Sequence, residues 1–318
     1  MVLMAEVLAQ AAQTALVLLA APLVTGAVRK VKARLLRRRG PSVLQPYRDL
    51  LRLLRKEAVL AENASWLFRA APYLIFATTW AAAALVPTFA AGLAFGRAAD
   101  LIAIVALLGS ARFFLALAGL DVGTSFGGIG SSREVLIASL AEPAMLLVVF
   151  SLALVAGSTE LSTMASVMRS DQAGLHVSLG LALIALVMVA IAENARMPVD
   201  NPATHLELTM VHEAMVLEYS GRHLALIELA ASLKLTLYLS LIACLFVPWG
   251  LAASLTSAPA LLSGASSYAV KLAAGALLLG TFETATAKMR VFRVPEYLGA
   301  ALMLGLLGTL LLFFSRSL

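Results

Sequence analysis

The chain has 318 residues, of which 61% are hydrophobic and only 13% charged. Because soluble globular domains carry roughly 25% charged residues, this composition excludes an ordinary soluble domain and indicates a protein embedded in lipid. The net charge of +6 is concentrated in one loop between apolar segments, which is typical of membrane topology and argues against nucleic-acid binding. The single cysteine, Cys244, excludes an internal disulfide and cysteine-ligated clusters. We therefore expect no cofactor or metal in this chain.

Eight apolar segments approach the length of about 20 residues that a helix needs to cross a bilayer core of roughly 30 Å. They lie at 7–28, 66–87, 100–120, 134–156, 175–195, 224–248, 267–287 and 296–315. The sequence thus predicts an all-α, polytopic single membrane domain over 1–318, with about eight transmembrane helices. Gly127, Gly128 and Gly130 precede the fourth segment, where we expect a flexible turn.

The arginines and lysines of the connecting segments predict the orientation of the chain. If the segment after the first span is cytoplasmic, seventeen of these residues lie inside and only three outside, namely Arg97, Arg169 and Arg316. Cytoplasmic loops are enriched in Lys and Arg. We therefore expect an even number of spans with both termini extracytoplasmic.

Two connections on the predicted cytoplasmic side carry their own pattern. The basic segment 29–60 includes apolar residues at helical spacing, which predicts an amphipathic cytoplasmic helix within 43–60 at the membrane surface or under a partner. Its apolar residues are Tyr47, Leu50, Leu51, Leu54 and Ala58. The connection 196–222 is predicted to be an acidic loop or helix at a partner interface, with Glu207 and Glu218 three turns apart on one face.

Charged residues within the apolar segments are the strongest functional signal, because an ionised group at the centre of a membrane helix costs about 2.5–3.5 kcal/mol. They are Arg112, Glu142, Glu193, Glu228, Lys234, Lys271 and Glu283. One interpretation is a proton path, since paired carboxylates and cations can exchange protons near neutral pH. The other is a set of static ion pairs, such as Glu228 with Lys234 or Glu142 with Arg112.

Two prolines favour the proton path. Pro143 follows Glu142 and Pro198 lies shortly after Glu193, and interrupted membrane helices free backbone groups and admit water. A zinc site is not favoured, because His205 and His212 are seven residues apart and the HExxH spacing is missing.

Several motifs resemble those of the family of complex I subunit 1. They are Glu193-x-x-Arg196-x-Pro198-x-Asp200, Glu218-Tyr219-Ser220-Gly221, Arg133-Glu134 and Arg290-x-x-Arg293. Within that superfamily the chain is similar to the membrane anchor subunits of group 4 nickel–iron hydrogenases, the type of formate hydrogenlyase subunit 4 and hydrogenase-4 component C. The motifs of this branch are Arg38-Arg39-Gly40-Pro41-x-x-x-Gln45, Asp121-x-Gly123 and Glu142-Pro143.

The resemblance implies a non-catalytic subunit of an oxidoreductase complex in the bacterial cytoplasmic (inner) membrane. The implied partners are hydrogenase large and small subunits, an iron–sulfur subunit and antiporter-like membrane subunits. The nickel–iron centre and the iron–sulfur clusters are then expected in those partners. The 196–222 loop has Ala203, Thr204 and His205 where complex I subunits are richer in acids, so no quinone site is assigned.

The resemblance also implies that Glu193 and the acids of the following loop form the entrance to a proton pathway. With the intramembrane residues above, the candidate pathway residues are Glu142, Glu193, Glu207, Glu213, Glu218, Glu228, Lys234 and Glu283. The candidate loop-shaping and interface residues are Arg196, Asp200, Tyr219, Arg133, Arg290 and Arg293. Three alternatives stay open: a quinone-site subunit of respiratory complex I, a stand-alone cation transporter, and an anchor without a proton role.

Overall fold

The computed structural model describes residues 2–170, 177–200, 210–252, 254–255 and 257–317. Over these residues the chain is all-helical, with β pairing limited to two isolated bridges, so the predicted all-α class is confirmed. The helices are α1 (Val2–Leu35), α2 (Gln45–Leu54), α3 (Trp66–Leu85), α4 (Leu101–Asp121), α5 (Ser125–Ala156), α6 (Leu161–Arg169), α7 (Val177–Glu193), α8 (His212–Val216), α9 (Gly221–Phe246), α10 (Ala258–Ala285) and α11 (Val294–Ser317).

Six of the described helices, α1, α4, α5, α9, α10 and α11, are long and apolar enough to cross a membrane. A helix forms its backbone hydrogen bonds within its own segment, which suits it to the bilayer core. The two other segments predicted to span are α3, which carries Arg69 in its first turn, and the shorter apolar helix α7. A multi-pass membrane protein is therefore shown, and the count of eight crossings stays a prediction.

Contacts between the connecting segments sort the helix ends into two groups. At one end, the C-terminal ends of α1, α4, α7 and α10 and the connections that follow them contact one another. The contacts are the ion pair Lys32–Glu283 and the hydrogen bonds Ser65–Asp121, Val59–Ser220 and Pro198–Met289. Toward the other end, hydrogen bonds join Gln13 to Val86, Leu101 to Thr159 and Phe89 to Ala252. The arginines and lysines predicted to be cytoplasmic belong to the first group, which we call the basic end. This arrangement agrees with the predicted alternation of the loops.

Helix α5 begins nine residues before the predicted span, so the expected flexible turn before 134 is wrong. The Thr124 hydroxyl caps the helix by accepting a hydrogen bond from Gly127 N. The glycines that follow belong to the helix, because they let α4 and α8 approach its backbone closely. A Cβ atom on Gly127 would lie 2.1 Å from the Gly119 carbonyl oxygen, and one on Gly130 would lie 2.9 Å from the Val211 carbonyl oxygen. The helix also continues through Pro143 to Ala156, so the expected interruption beside Glu142 is not present.

The packing of α5 predicts a clear stability difference between two neighbouring glycines. Gly127→Ala is expected to lower the free energy of unfolding by about 1–3 kcal/mol, because the new methyl group overlaps rigid backbone. Gly128→Ala is the control, since a Cβ atom there meets no atom within 4 Å, and alanine in a helix is up to about 1 kcal/mol better than glycine. Thermal unfolding of the detergent-purified protein measures both, and equal melting temperatures for the two variants would contradict this packing.

The predicted amphipathic helix is present, but it ends before the last residue of the apolar pattern. Helix α2 ends at Leu54, so Ala58 lies beyond it. The Tyr47 hydroxyl donates to the Leu19 carbonyl of α1, while Leu51 and Leu54 remain about half exposed. The helix therefore lies against α1 and leaves part of its apolar face uncovered in this chain.

Candidate functional site

A buried ion cluster joins three helices near the basic end. Glu193, the last residue of α7, is 7% exposed. Its Oε1 lies 2.6 Å from Arg112 Nη2 of α4, and its Oε2 lies 2.9 Å from Lys234 Nζ of α9. The Glu193 carboxylate thus pairs with the buried Arg112 and the partly buried Lys234, an arrangement that compensates part of the desolvation cost of the buried charges.

Two further carboxyl groups, both from α5, complete this cluster. Glu142 Oε1 lies 3.5 Å from Arg112 Nη2, and the Glu142 side chain is 47% exposed. Glu134 is 8% exposed and lines a cavity together with Arg112 and Lys234. The cluster therefore has one face in the interior of the bundle and another, at Glu142, on its outer surface.

The charges of the cluster balance only when it holds a proton. Arg112 and Lys234 contribute two positive charges, whereas Glu134, Glu142 and Glu193 contribute three negative charges if all are ionised. In a medium of low dielectric constant an uncompensated charge is strongly disfavoured. Neutrality is reached when one of the three carboxyl groups is protonated. Glu193, held between both cations, is the group best stabilised as a carboxylate.

The cavity beside Glu134 has space for water. Its volume is about 40 Å³, and its lining includes Thr79 and His212 as well as the charged residues. Arg112 Nε and Nη1 are buried and have no hydrogen-bond partner among the described residues. A water needs roughly 10–15 Å³ of such space and two to four polar partners. The site thus suits a few waters that connect the Arg112 guanidinium group to the Glu134 carboxyl group.

His212, in α8, faces this cavity from the connection between α7 and α9. Burial lowers the pKa of His212 below its ordinary value of 6.5, and Lys234 lowers it further, against the smaller opposing effects of Glu228 and Asp200. The imidazole is therefore neutral near pH 7, when it offers one donor and one acceptor nitrogen. A neutral imidazole beside a carboxyl group is able to pass a proton to it.

The lowered pKa of His212 predicts that acid destabilises the protein. Below about pH 6.5 the unfolded chain binds a proton at this histidine that the folded chain does not bind, so stability rises with pH and is lost as the pH falls. The slope reaches at most about 1.4 kcal/mol per pH unit. Thermal unfolding of His212→Gln between pH 7.5 and 5 is expected to show a shallower loss than the parent protein. Parallel curves for the two proteins would refute this assignment.

A second ion cluster lies closer to the basic end. Glu283 of α10 is buried and pairs with Lys32 of α1 at 3.1 Å and with Arg196 at 3.3 Å. Asp200 is also buried and lies 2.9 Å from Lys288 Nζ. The pKa of Arg196 is lowered by its burial, which Glu283 partly offsets. These pairs hold the connection after α7 against α1 and the end of α10.

The connection between α7 and α9 is anchored to α3 and α5. Arg133 Nη1 donates to the Met210 carbonyl at 2.8 Å. The Tyr219 ring stacks on Phe68, and its hydroxyl donates to the Phe68 carbonyl at 3.1 Å. Burial raises the pKa of Tyr219 above its ordinary value. Glu213 and Glu218 are half-buried in this connection, and Glu207 lies outside the described residues.

The structure brings some predicted residues together and separates others. The predicted pair of Glu142 with Arg112 is present, but Lys234 pairs with Glu193, and the pair of Glu228 with Lys234 is wrong. Glu228 is exposed on α9, and Glu283 belongs to the second cluster. Arg290 and Arg293 are exposed near the basic end, where their interface role stays a prediction.

Glu134 is the main residue that the sequence pattern does not identify as a pathway residue. The apolar run places it at the start of a span, where a carboxylate reaches water. The signal that could have revealed it is the small-residue run from Gly127 to Ser132 after a Thr124 cap. Such a run extends a helix into the bundle and buries the residues that follow.

A profile of the protein family described as NADH dehydrogenase matches residues 9–314. The chain belongs to the NADH dehydrogenase family. Among related members, formate hydrogenlyase subunit 4 of Escherichia coli (strain K12) is 36% identical over 89% of this chain and 91% of its own. Hydrogenase-4 component C of the same strain is 35% identical over 78% of this chain and 77% of its own. NADH-quinone oxidoreductase subunit 8 of Rhodothermus marinus is 30% identical over 72% and 69%.

This NADH dehydrogenase family member also shares its fold with a chain of the membrane-bound sulfane sulfur reductase, an archaeal respiratory membrane complex. The TM-score is 0.80 at 20% sequence identity, over 96% of this chain and 99% of the other. The profile match and the relatives confirm the resemblance inferred from the motifs, and the solved structure shows the shared fold.

Proposed function

We propose that this chain is the membrane-anchoring, proton-pathway subunit of an energy-converting hydrogenase complex. Its similarity to formate hydrogenlyase subunit 4 and hydrogenase-4 component C extends over most of the chain, which supports this class of complex. The proposed partners on the basic end are a hydrogenase large subunit, a small subunit and an iron–sulfur subunit. These would hold the nickel–iron centre and the clusters, and antiporter-like subunits would adjoin in the membrane.

The single observation that carries the proton role is the cluster of two cations and three carboxyl groups around the buried Arg112. A cluster that only locks helices together gains nothing from a carboxyl group outside its ion pairs, and Glu134 is such a group among the described residues. This cluster has one carboxyl group more than its cations neutralise, and a cavity that suits water lies beside that group. Both features match a site that binds and releases a proton.

The proposed path begins in the connection after α7 and ends on the outer face of α5. A proton enters from the half-buried Glu213 and Glu218, passes the neutral His212 and is held on Glu134. Glu193 keeps Arg112 and Lys234 in place, so that the Arg112 guanidinium group lies between Glu142, with which it pairs, and the cavity that Glu134 lines. Since the Glu142 side chain is half exposed within α5, it is the point at which a neighbouring membrane subunit would accept the proton.

Coupling to redox chemistry would act through the same connection. Arg133 and Tyr219 tie this connection to α5 and α3, and α8 packs on the glycines of α5. A partner that shifts α8 by a small distance would move His212 relative to Glu134. Such a movement changes whether water joins the two groups. The movement of α8 would therefore open or close the proton path while the transmembrane helices stay in place.

Copurification tests the assembly. The tagged chain is extracted from native bacterial membranes in mild detergent, and the bound proteins are identified by mass spectrometry. Recovery of a nickel–iron hydrogenase large subunit is the expected result. Recovery of NADH-oxidising subunits would favour the alternative, a quinone-site subunit of respiratory complex I, which the 30% identity to NADH-quinone oxidoreductase subunit 8 keeps open. Cation transport by the purified chain alone in liposomes would refute both.

The proposed location is the bacterial cytoplasmic membrane, with both termini extracytoplasmic and the basic end in the cytoplasm. Reporter fusions test this orientation. An alkaline phosphatase joined after α6 is expected to be active, because this enzyme folds only outside the cytoplasm. The same reporter joined within the segment that follows α1 is expected to be inactive.

A further inference from the structure

A large apolar cavity, separate from the one that Glu134 lines, lies between α7, α9 and α10. Its volume is about 570 Å³, within the range of roughly 300–1,000 Å³ that is usual for ligand sites. Its walls are mainly aliphatic and aromatic and include Ile191, Leu235, Ile242 and Leu278. Gly275 of α10 and Leu239 of α9 both line the cavity and are neighbours, since a Cβ atom on Gly275 would lie 3.1 Å from Leu239 Cδ2. The cavity is open on one side, so it is continuous with the surroundings of the bundle.

The end of this cavity nearest the basic end is polar and positively charged. Arg196 and Asn194 line that end, beside the last residues of α7 and α10. Arg196 pairs with Glu283, which also pairs with Lys32, and Arg29 lies close enough to Arg196 to repel its charge. Lys32 and Arg196 thus share one carboxylate, and Arg29 adds a third cation near Arg196. These four residues together carry a net charge of +2 beside the polar end of the cavity.

We propose that the cavity holds an acyl chain of an anionic phospholipid, with its phosphate group at Arg29, Lys32 and Arg196. Basic pockets between membrane helices on the cytoplasmic side bind anionic lipid headgroups, and the uncharged aliphatic walls suit a hydrocarbon chain. The phosphate offsets part of the net positive charge of the four described residues Arg29, Lys32, Arg196 and Glu283. The lipid also fills the space between α7 and α10, so it keeps Glu193 at the end of α7 in its place.

A lipid fits these observations better than a helix of a partner subunit. A helix is about 10–12 Å wide with its side chains, whereas the cavity is a recess between helices of this bundle, into which a single flexible chain fits. The excess positive charge at one end and the apolar walls beyond it match the two halves of one phospholipid. The proposal is independent of which complex the chain belongs to.

Retained lipid is measured on the intact complex, purified in mild detergent and analysed by native mass spectrometry. Complexes are exchanged into detergent with phosphatidylglycerol or phosphatidylcholine at equal concentrations. We expect the complex to retain phosphatidylglycerol in preference to phosphatidylcholine. Lys32→Gln is expected to reduce the retention of phosphatidylglycerol about fivefold, because one basic side chain contributes about that factor to binding an anionic lipid surface. Lys30→Gln is the matched control, because Lys30 lies two residues away and bonds to the Arg39 carbonyl.

A second variant tests the cavity itself. Gly275→Leu places a side chain in the space that the acyl chain would occupy, where its first contact is the flexible Leu239 side chain. It is expected to lower retention of both lipids, while Gly299→Leu, on α11 with open space around it, leaves retention unchanged. Equal retention of the two lipids by the parent complex, or retention unaffected by Lys32→Gln and Gly275→Leu, would overturn the proposal. So would a crosslink from Gly275→Cys to a partner subunit.

Discussion

Replacing Glu193 by glutamine is expected to reduce proton-coupled hydrogenase activity by roughly a hundredfold, the lower end of what a positioned proton-transfer group contributes. The amide is nearly the same size as the carboxyl group, so the packing at the end of α7 is preserved. It no longer neutralises Arg112 and Lys234, which then attract Glu134 and Glu142 as ionised groups. A proton would no longer reside on these acids, and the path would lose its carrier.

The complex is expected to assemble in this variant, with a melting temperature lowered by a few degrees. Removing one partner of a buried pair costs about 3–5 kcal/mol, but here two other carboxyl groups stand near the same cations and offset part of that loss. Glu62→Gln is the control, because Glu62 is exposed in the connection before α3. Activity is followed as hydrogen production, and proton movement with a pH-sensitive dye in vesicles. Full activity and proton movement in Glu193→Gln would remove the basis of the proposed path.

Replacing Glu134 by glutamine is expected to stop proton movement without loss of stability. Glu134 lies beyond ion-pair distance of the cations in the described structure, where the cluster's ion pairs belong to Glu193 and Glu142. If Glu134 holds the proton, its uncharged form already resembles the amide. The variant should therefore unfold within a few degrees of the parent protein, while proton-coupled activity falls about a hundredfold or more.

This result separates a proton site from a structural ion cluster. In a structural cluster the residue that makes no ion pair contributes least, so Glu134→Gln would be silent and Glu193→Gln would be the damaging change. Glu134→Asp serves as the conservative variant, since it keeps a protonatable group and is expected to restore part of the activity. Glu296→Gln, an exposed acid in the first turn of α11, controls for the loss of one carboxylate. Unchanged proton movement in Glu134→Gln would place the proton elsewhere.

The sequence determined the class of protein and most of its helices. The low content of charged residues and the length of the apolar runs require a membrane bundle, because both depend on the solvent and not on which helices become neighbours. The sequence also showed which loops carry the basic residues. It identified Glu193 and Glu142 as candidates because a carboxylate within an apolar run is rare regardless of its partner.

Only the tertiary structure decided which charges meet. Sequence spacing suggested Glu228 with Lys234, because the two lie on one helix, whereas Lys234 pairs with Glu193 from another helix. Glu134 became a candidate only when α5 proved to begin at Ser125 and to pack its glycines on α4 and α8. Periodicity shows which residues share a face of one helix, but the pairing of charges depends on the rotation and approach of separate helices. Those are set by close packing of backbone and side chains across the whole bundle.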